Sequence, residues 1–230
     1  NFIFTGGSCL RICYQMPRLS EDLDFDVAPL HYKKLDLEKM ALDIQSFFKN
    51  DFLMDITVHC QGGKRIYLKF PILKKFDLNF GEGSDILYVK IEPIKQELIK
   101  PKIEINPISN FGFNFIVKNY TLKFLMTGKI MAIFSRKWFK GDKDTIDIKG
   151  RDFYDLFWYF QNNVLPDFQN MSKFVGIKNE QELKAKLWDK IQKHVTSQKL
   201  SYDLKNFFID QKFISQFCKN YQTIMEKYLC

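Results

Sequence analysis

The chain opens on an apolar run, Phe2-Ile3-Phe4, which breaks at Thr5-Gly6-Gly7-Ser8 and passes into a short helical stretch. Strict alternation follows in Asp22-Leu23-Asp24-Phe25-Asp26. A period of two predicts a strand with Leu23 and Phe25 toward a core and the acids on the opposite face. Leu37, Met40, Ala41, Ile44, Phe47 and Phe48 then recur at helical spacing, predicting a helix over 33–50. Two further apolar runs, 55–60 and 65–70, flank Gln61-Gly62-Gly63 and predict a hairpin. Short strands are expected over 85–91 and 102–105, after a polar, Gly-containing connection over 74–84. From about Phe115 the pattern is helical throughout. Helices are expected over 121–138, 151–161, 180–196 and 204–228, with loops at 140–144 and 166–170. The order predicts an α+β protein: an α/β lobe over 1–115 with a mixed sheet of five or six strands, then a helical lobe over 116–230.

Composition narrows the class. The chain has 230 residues, 46% of them hydrophobic and 24 of them Phe, which is globular rather than disordered. It starts at Asn1 without Met and enters a strand at once, so it reads as having lost upstream residues. No secretory signal is visible. The best candidate for a membrane span, 111–126, is cut by Asn114, Lys118, Asn119 and Lys123, well short of the ~18 apolar residues required. Five cysteines without a CxxC leave one unpaired, which suits a reducing cytoplasm. His31, His59 and His194 have no cysteine at zinc-ligand spacing, so neither zinc nor a His-based nucleophilic relay has local support.

The net charge of +8 is unevenly placed. Residues 1–115 carry 15 basic and 15 acidic side chains, whereas 116–150 carry eight basic and three acidic, Lys118, Lys123 and Lys137 among them. A surplus of five there points to a polyanion or a nucleotide, or to a solvated, Lys-rich helix face.

The chemistry concentrates near the start. Adjacent glycines allow backbone amides to approach a phosphate, and a helix N-terminus beside a hydroxyl favours anions. Ser8 would equally serve as an ordinary helix N-cap. Asp22 and Asp24, at i and i+2 of a strand, point to one face and suit a shared Mg²⁺. A phosphate cradle and a metal-binding pair brought together by one strand–helix–strand unit is a minimum kit for metal-assisted nucleotidyl transfer.

The string Gly7-Ser8-x-Leu10, then Arg18-x-Ser20-x-Asp22-x-Asp24, resembles the polymerase-β-like nucleotidyltransferase superfamily. Within it the chain is similar to the AbiEii-type (AbiEii/AbiGii) toxins of type IV toxin–antitoxin systems, which include the MenT group. Two later strings fit the same family in the same order. Lys129-x-x-Ala132-x-x-x-Arg136 sets two cations on one helix face. Lys149-Gly150-Arg151-Asp152-x-x-Asp155 fits the Arg/Lys-Asp-x-x-Asp motif, with its usual Arg-x-Lys order interchanged. Asp152 and Asp155 also complement a helix dipole.

The resemblance implies a polymerase-β-like lobe followed by a helical bundle, with NTP as substrate and Mg²⁺ or Mn²⁺ as cofactor. It implies Asp22 and Asp24 as metal ligands and Gly7, Ser8, Arg18, Lys129 and Arg136 as nucleotide contacts. Asp22, Asp24, Lys129 and Asp152 are the catalytic candidates, with Asp155 left to serve Arg151 or Lys149. A third carboxylate commonly comes from a neighbouring strand, and Glu104, flanked by Ile103 and Ile105, is the candidate for it. Implied likewise are transfer of a nucleoside monophosphate to an RNA acceptor, the tRNA 3′ end first among them, and a cognate antitoxin. The competing expectations are a small-molecule nucleotidyltransferase of the antibiotic-modifying kind and a non-catalytic nucleotide-binding relative.

Overall fold

A computed structural model describes residues 2–78, 85–110, 112–136, 139–140 and 146–230. Residues 79–84 of the expected connection, 141–144 of the expected loop, and Lys137 and Trp138 lie outside the described residues. The chain divides into two compact units. The first comprises 1–15, 20–97 and 105–119, the second 16–19, 98–104 and 120–230.

The first unit is built on β1 (Phe2–Thr5), β2 (Asp22–Val27), β3 (Thr57–Gln61), β4 (Arg65–Pro71), β5 (Ile86–Lys95), β6 (Ile103–Asn110) and β7 (Phe113–Tyr120). They form one mixed sheet in the order β3-β4-β5-β2-β1-β7-β6. The hairpin β3–β4 pairs Gln61 with Arg65, as the glycine turn between them requires. Strand β2 sits centrally, antiparallel to β1 and parallel to β5.

Helices α1 (Gly6–Tyr14), α2 (Pro29–Tyr32) and α3 (Leu37–Phe52) complete the unit. Asp36 caps α3 by accepting a 2.9 Å bond from the Lys39 amide, so the helix begins there and not at Lys33. Leu37 and Ala41 of α3 are buried with Ile56, Ile66, Leu68, Phe70 and Ile91, and Leu23 and Phe25 of β2 pack on that cluster. The alternation of β2 thus sends its apolar residues into the core and leaves Asp22, Asp24 and Asp26 on the opposite face.

The second unit is helical: α4 (Leu122–Ser135), α5 (Gly150–Gln161), α6 (Phe168–Val175), α7 (Glu180–His194), α8 (Ser197–Leu204) and α9 (Gln211–Leu229). Asp167, Asn179, Thr196 and Asp210 cap α6, α7, α8 and α9, each accepting from the amide three residues on. α5 is buried along most of its length and packs against α4 and α8. Its Tyr154 and Phe157 stack against Phe217 of α9, and Tyr221 Oη donates to the Phe153 carbonyl at 2.9 Å. No helix among the described residues is long and apolar enough to cross a membrane.

Candidate active site

In the first unit, β1 ends at Thr5 and the chain turns into α1 through Gly6 at φ 74°. That backbone suits glycine, and a Cβ there would also overlap the Asp24 Oδ2 atom. Gly6, Gly7 and Ser8 are therefore the first three residues of α1, whose amides have no partner inside the helix, and Asp24 lies against them. Thr5, not Ser8, is the cap residue. Ser8 is buried and its hydroxyl donates to the Asp22 carbonyl. It ties α1 to the start of β2, and what it can offer a phosphate is its amide.

Pairing with β5 sets a third acid beside this pair. Asp24 is in register with Glu92, and Asp22 with Lys90. Lys90 Nζ lies 2.9 Å from Asp22 Oδ2 and 3.0 Å from Glu92 Oε2. Arg65 Nε, from β4, is 2.9 Å from Glu92 Oε1. Burial would raise the Glu92 pKa, but the bonds to Lys90 and Arg65 outweigh it and hold the carboxyl below its usual range. Glu104 is not this third acid. It sits on β6 at the sheet edge, with β7 and β1 between that strand and β2. Glu92 lay one residue beyond the strand expected over 85–91, and its place beside Asp24 depends on strand order, which is not written in the local pattern.

In the second unit the later motifs close into one buried ionic network. Lys129 Nζ, on α4, is 2.7 Å from Asp152 Oδ1 and 2.8 Å from Asp155 Oδ2, both on α5. Arg136 Nη1 is 2.8 Å from Asp152 Oδ2. Arg18 pairs with Asp155 in a fork, Nε to Oδ1 at 2.5 Å and Nη2 to Oδ2 at 2.8 Å. Its Nη1 donates to the Leu19 carbonyl at 2.8 Å. With 2% of its surface exposed, Arg18 is a buried strut whose guanidinium is taken on two prongs by Asp155. Asp155 serves Arg18 and Lys129, whereas Arg151 turns to Asp203 of α8 and stacks on Phe207, 3.8 Å from the ring centroid.

That turn explains the interchanged motif. A Cβ on Gly150 would come within 2.9 Å of the Leu200 carbonyl, so α8 approaches α5 only at a glycine. Arg151 then points to α8 and Lys149 is left beside Asp152. Burial would raise the Asp152 and Asp155 pKa values, but the surrounding cations outweigh it, bringing Asp155 down to about 2. Burial lowers the Lys149 pKa to about 8; Asp152 opposes this, while Arg151, Lys129 and Arg136 add to it. Five cations (Arg18, Lys129, Arg136, Lys149, Arg151) thus stand against three carboxylates (Asp152, Asp155, Asp203). Among the described residues that leaves a surplus of two positive charges, a balance that favours an anion.

Over residues 1–228 the chain matches the family of nucleotidyl transferase AbiEii toxins of type IV toxin–antitoxin systems. The chain belongs to the AbiEii family. Two solved structures are similar in fold, each over 99% of this chain at 18% identity and a TM-score of 0.52. One is JHP933 from Helicobacter pylori, 84% of which is covered. The other is a protein assigned as a nucleotidyltransferase from H. pylori, 87% of which is covered. No curated protein sequence matches the chain. This AbiEii chain is therefore a nucleotidyltransferase toxin with NTP as substrate and an antitoxin as partner, and its seven-stranded mixed sheet and helices are those of the nucleotidyltransferase fold.

Proposed function

We propose that this AbiEii chain transfers a nucleoside monophosphate from Mg²⁺-bound NTP to an RNA acceptor in the cytoplasm, at the 3′ end of tRNA, releasing pyrophosphate. In this reading 1–115 is the nucleotidyltransferase lobe and 116–230 the helical lobe. The surplus of cations around Asp152 and Asp155 carries the proposal, because a triphosphate is the anion that such a network suits.

The first unit's residues fit a hard divalent cation. Asp22 and Asp24 offer carboxylate oxygens on one strand face, and Asp22 already accepts an ammonium cation from Lys90. Among the described residues no cluster of three or more His, Cys, Asp or Glu forms a metal cage. That suits Mg²⁺, which keeps several waters and takes the rest of its shell from substrate phosphates. When bound, the ion polarises the α-phosphate and makes the acceptor hydroxyl more acidic.

Everything else is supplied by the chain. The amides of Gly6, Gly7 and Ser8 meet phosphate charge at the start of α1. Lys129 and Arg136 neutralise the triphosphate, and Asp152 and Asp155 hold the Lys129 ammonium in a fixed place so that little rotamer freedom is lost on binding. Burial lowers the Lys129 pKa, but Asp152 and Asp155 more than offset it, so its charge is secure at neutral pH. The basic surplus of 116–150 favours a polyanionic acceptor.

The test is incubation of the purified protein with each α-labelled NTP and total RNA. Label in RNA is expected, with an apparent KM that rises steeply with potassium chloride at saturating NTP. A salt-independent KM, or strong labelling of a small hydroxylated acceptor without RNA, would overturn the RNA reading in favour of small-molecule modification.

A further inference from the structure

Asp22, Asp24 and Asp26 project from one face of β2, and the register with β5 puts Glu92 on that face beside Asp24. So many acids on a central strand pair repel one another unless cations are built in. Arg65 and Lys90 are such cations. Arg65 takes one oxygen of Glu92 alone, whereas Lys90 bridges the strands, from Asp22 Oδ2 at 2.9 Å to Glu92 Oε2 at 3.0 Å. The three side chains of this bridge are mostly buried, at 20, 30 and 19% exposure for Lys90, Asp22 and Glu92.

We infer that Lys90 is the resident counter-ion of the carboxylate site: it holds Asp22 and Glu92 together before a divalent ion arrives, and the ion must take Asp22 from it. The inference rests on Asp22 and Asp24 being the metal ligands. An ammonium 2.9 Å from one ligand oxygen competes for that oxygen and repels a dication beside it. Removing its charge then has two effects of opposite sign. The metal-free protein loses stability, because the acids are left facing one another, and the divalent ion binds more tightly. A purely structural salt bridge would give the first effect without the second. Lys90 is in this sense a positioning residue that sets metal affinity by sharing a ligand.

The experiment titrates Mn²⁺ alone into the full chain, following free Mn²⁺ by electron paramagnetic resonance and the melting temperature in parallel. Lys90→Met, of similar length and uncharged, should melt lower without metal and bind Mn²⁺ about tenfold more tightly, the order expected for one nearby charge in a partly buried site. Lys90→Arg should stay within about twofold of wild type, as should Arg65→Met, whose carboxylate partner is Glu92 and not Asp22. Should the Met variant not fold, Lys90→Gln carries the same comparison. Unchanged or weaker Mn²⁺ binding in the uncharged variant would overturn the role of Lys90. If Asp24→Asn still binds Mn²⁺ like wild type, or if wild type and Lys90→Met both fail to bind it at millimolar concentration, the metal assignment itself falls and this inference falls with it.

Discussion

Arg18→Met separates the two roles open to that residue. In the structure Arg18 forms a two-pronged buried pair with Asp155, whose side chain is 0% exposed. Methionine fills a similar volume but leaves Asp155 with Lys129 as its remaining cation partner at 2.8 Å. Removing one partner of a buried pair costs about 3–5 kcal/mol, because the charge left behind stays desolvated. The retained Lys129 contact puts the expectation at the lower end, about 3 kcal/mol, or roughly 6–12 °C in melting temperature for a chain of this size. By comparison, Arg65→Met breaks a pair whose arginine is 44% exposed and should cost about 1 kcal/mol or less.

The pH dependence sharpens this. Asp155 is held down to about 2, so its stabilising contribution is complete above the unfolded carboxylate range, near pH 4–5, and is lost as pH falls toward 2. A depression of nearly two units corresponds to about 2 kcal/mol. Chemical denaturation at pH 7, 5, 4 and 3 should show the wild type losing about half of that amount, roughly 1 kcal/mol, by pH 3 and Arg18→Met losing less, since its Asp155 is less depressed. NTP affinity of the folded variant, measured by calorimetry, should change by less than about threefold. The reasoning is refuted if Arg18→Met is within 1 kcal/mol of wild type while NTP binding collapses. That outcome would return Arg18 to the phosphates.

Three further substitutions probe the rest. Gly6→Ala should abolish transfer, since the new Cβ meets Asp24 Oδ2 and φ is positive; measurable turnover in a folded variant would contradict the placement of Asp24. Gly150→Ala should cost about 1–3 kcal/mol by denaturation, because the contact is with the Leu200 backbone carbonyl, which cannot swing aside. Lys129→Ala should weaken NTP binding far more than Lys193→Ala, whose side chain is 64% exposed and pairs only with Asp189 one turn away; equal small effects would make Lys129 structural.

Much of the fold was written locally. The alternation of 22–26 gave both faces of β2, and the Gly62-Gly63 turn gave the β3–β4 hairpin. Several short elements escaped because their signals are weak or conflict. Residues 116–120 were taken into the helical half, yet they belong to strand β7, exposed along much of its length, so its apolar residues show no buried period. Short α6 was passed over, its start taken into the loop expected over 166–170, and most of α8 fell in the gap between the helices expected over 180–196 and 204–228. Asp167 and Thr196 mark where each begins, but a lone cap residue without a long apolar stripe is a weak signal.

The same division governs the site. Motif residues within one element, such as Asp22 and Asp24, come out as spacing requires, since strand geometry fixes them, whereas Arg136 lies just past the end of α4, in extended backbone, and meets Lys129 through Asp152. Partners supplied by tertiary structure do not. Lys90 and Glu92 stand opposite Asp22 and Asp24 only because β5 is the strand that inserts beside β2, a choice made 68 residues downstream. Glu104 satisfied the same local criterion, an acid between two isoleucines, and β6 went to the sheet edge. Arg18 follows the same division. An arginine beside a phosphate motif is an obvious anion contact until a carboxylate 137 positions away claims both prongs of its guanidinium. A buried ion pair of that kind specifies an arrangement more than it adds stability, and here it fixes Asp155, and through Asp155 one side of Lys129. The motif arginine thus acts on the cation proposed to meet the nucleotide, and the loss expected from removing it is one of stability first.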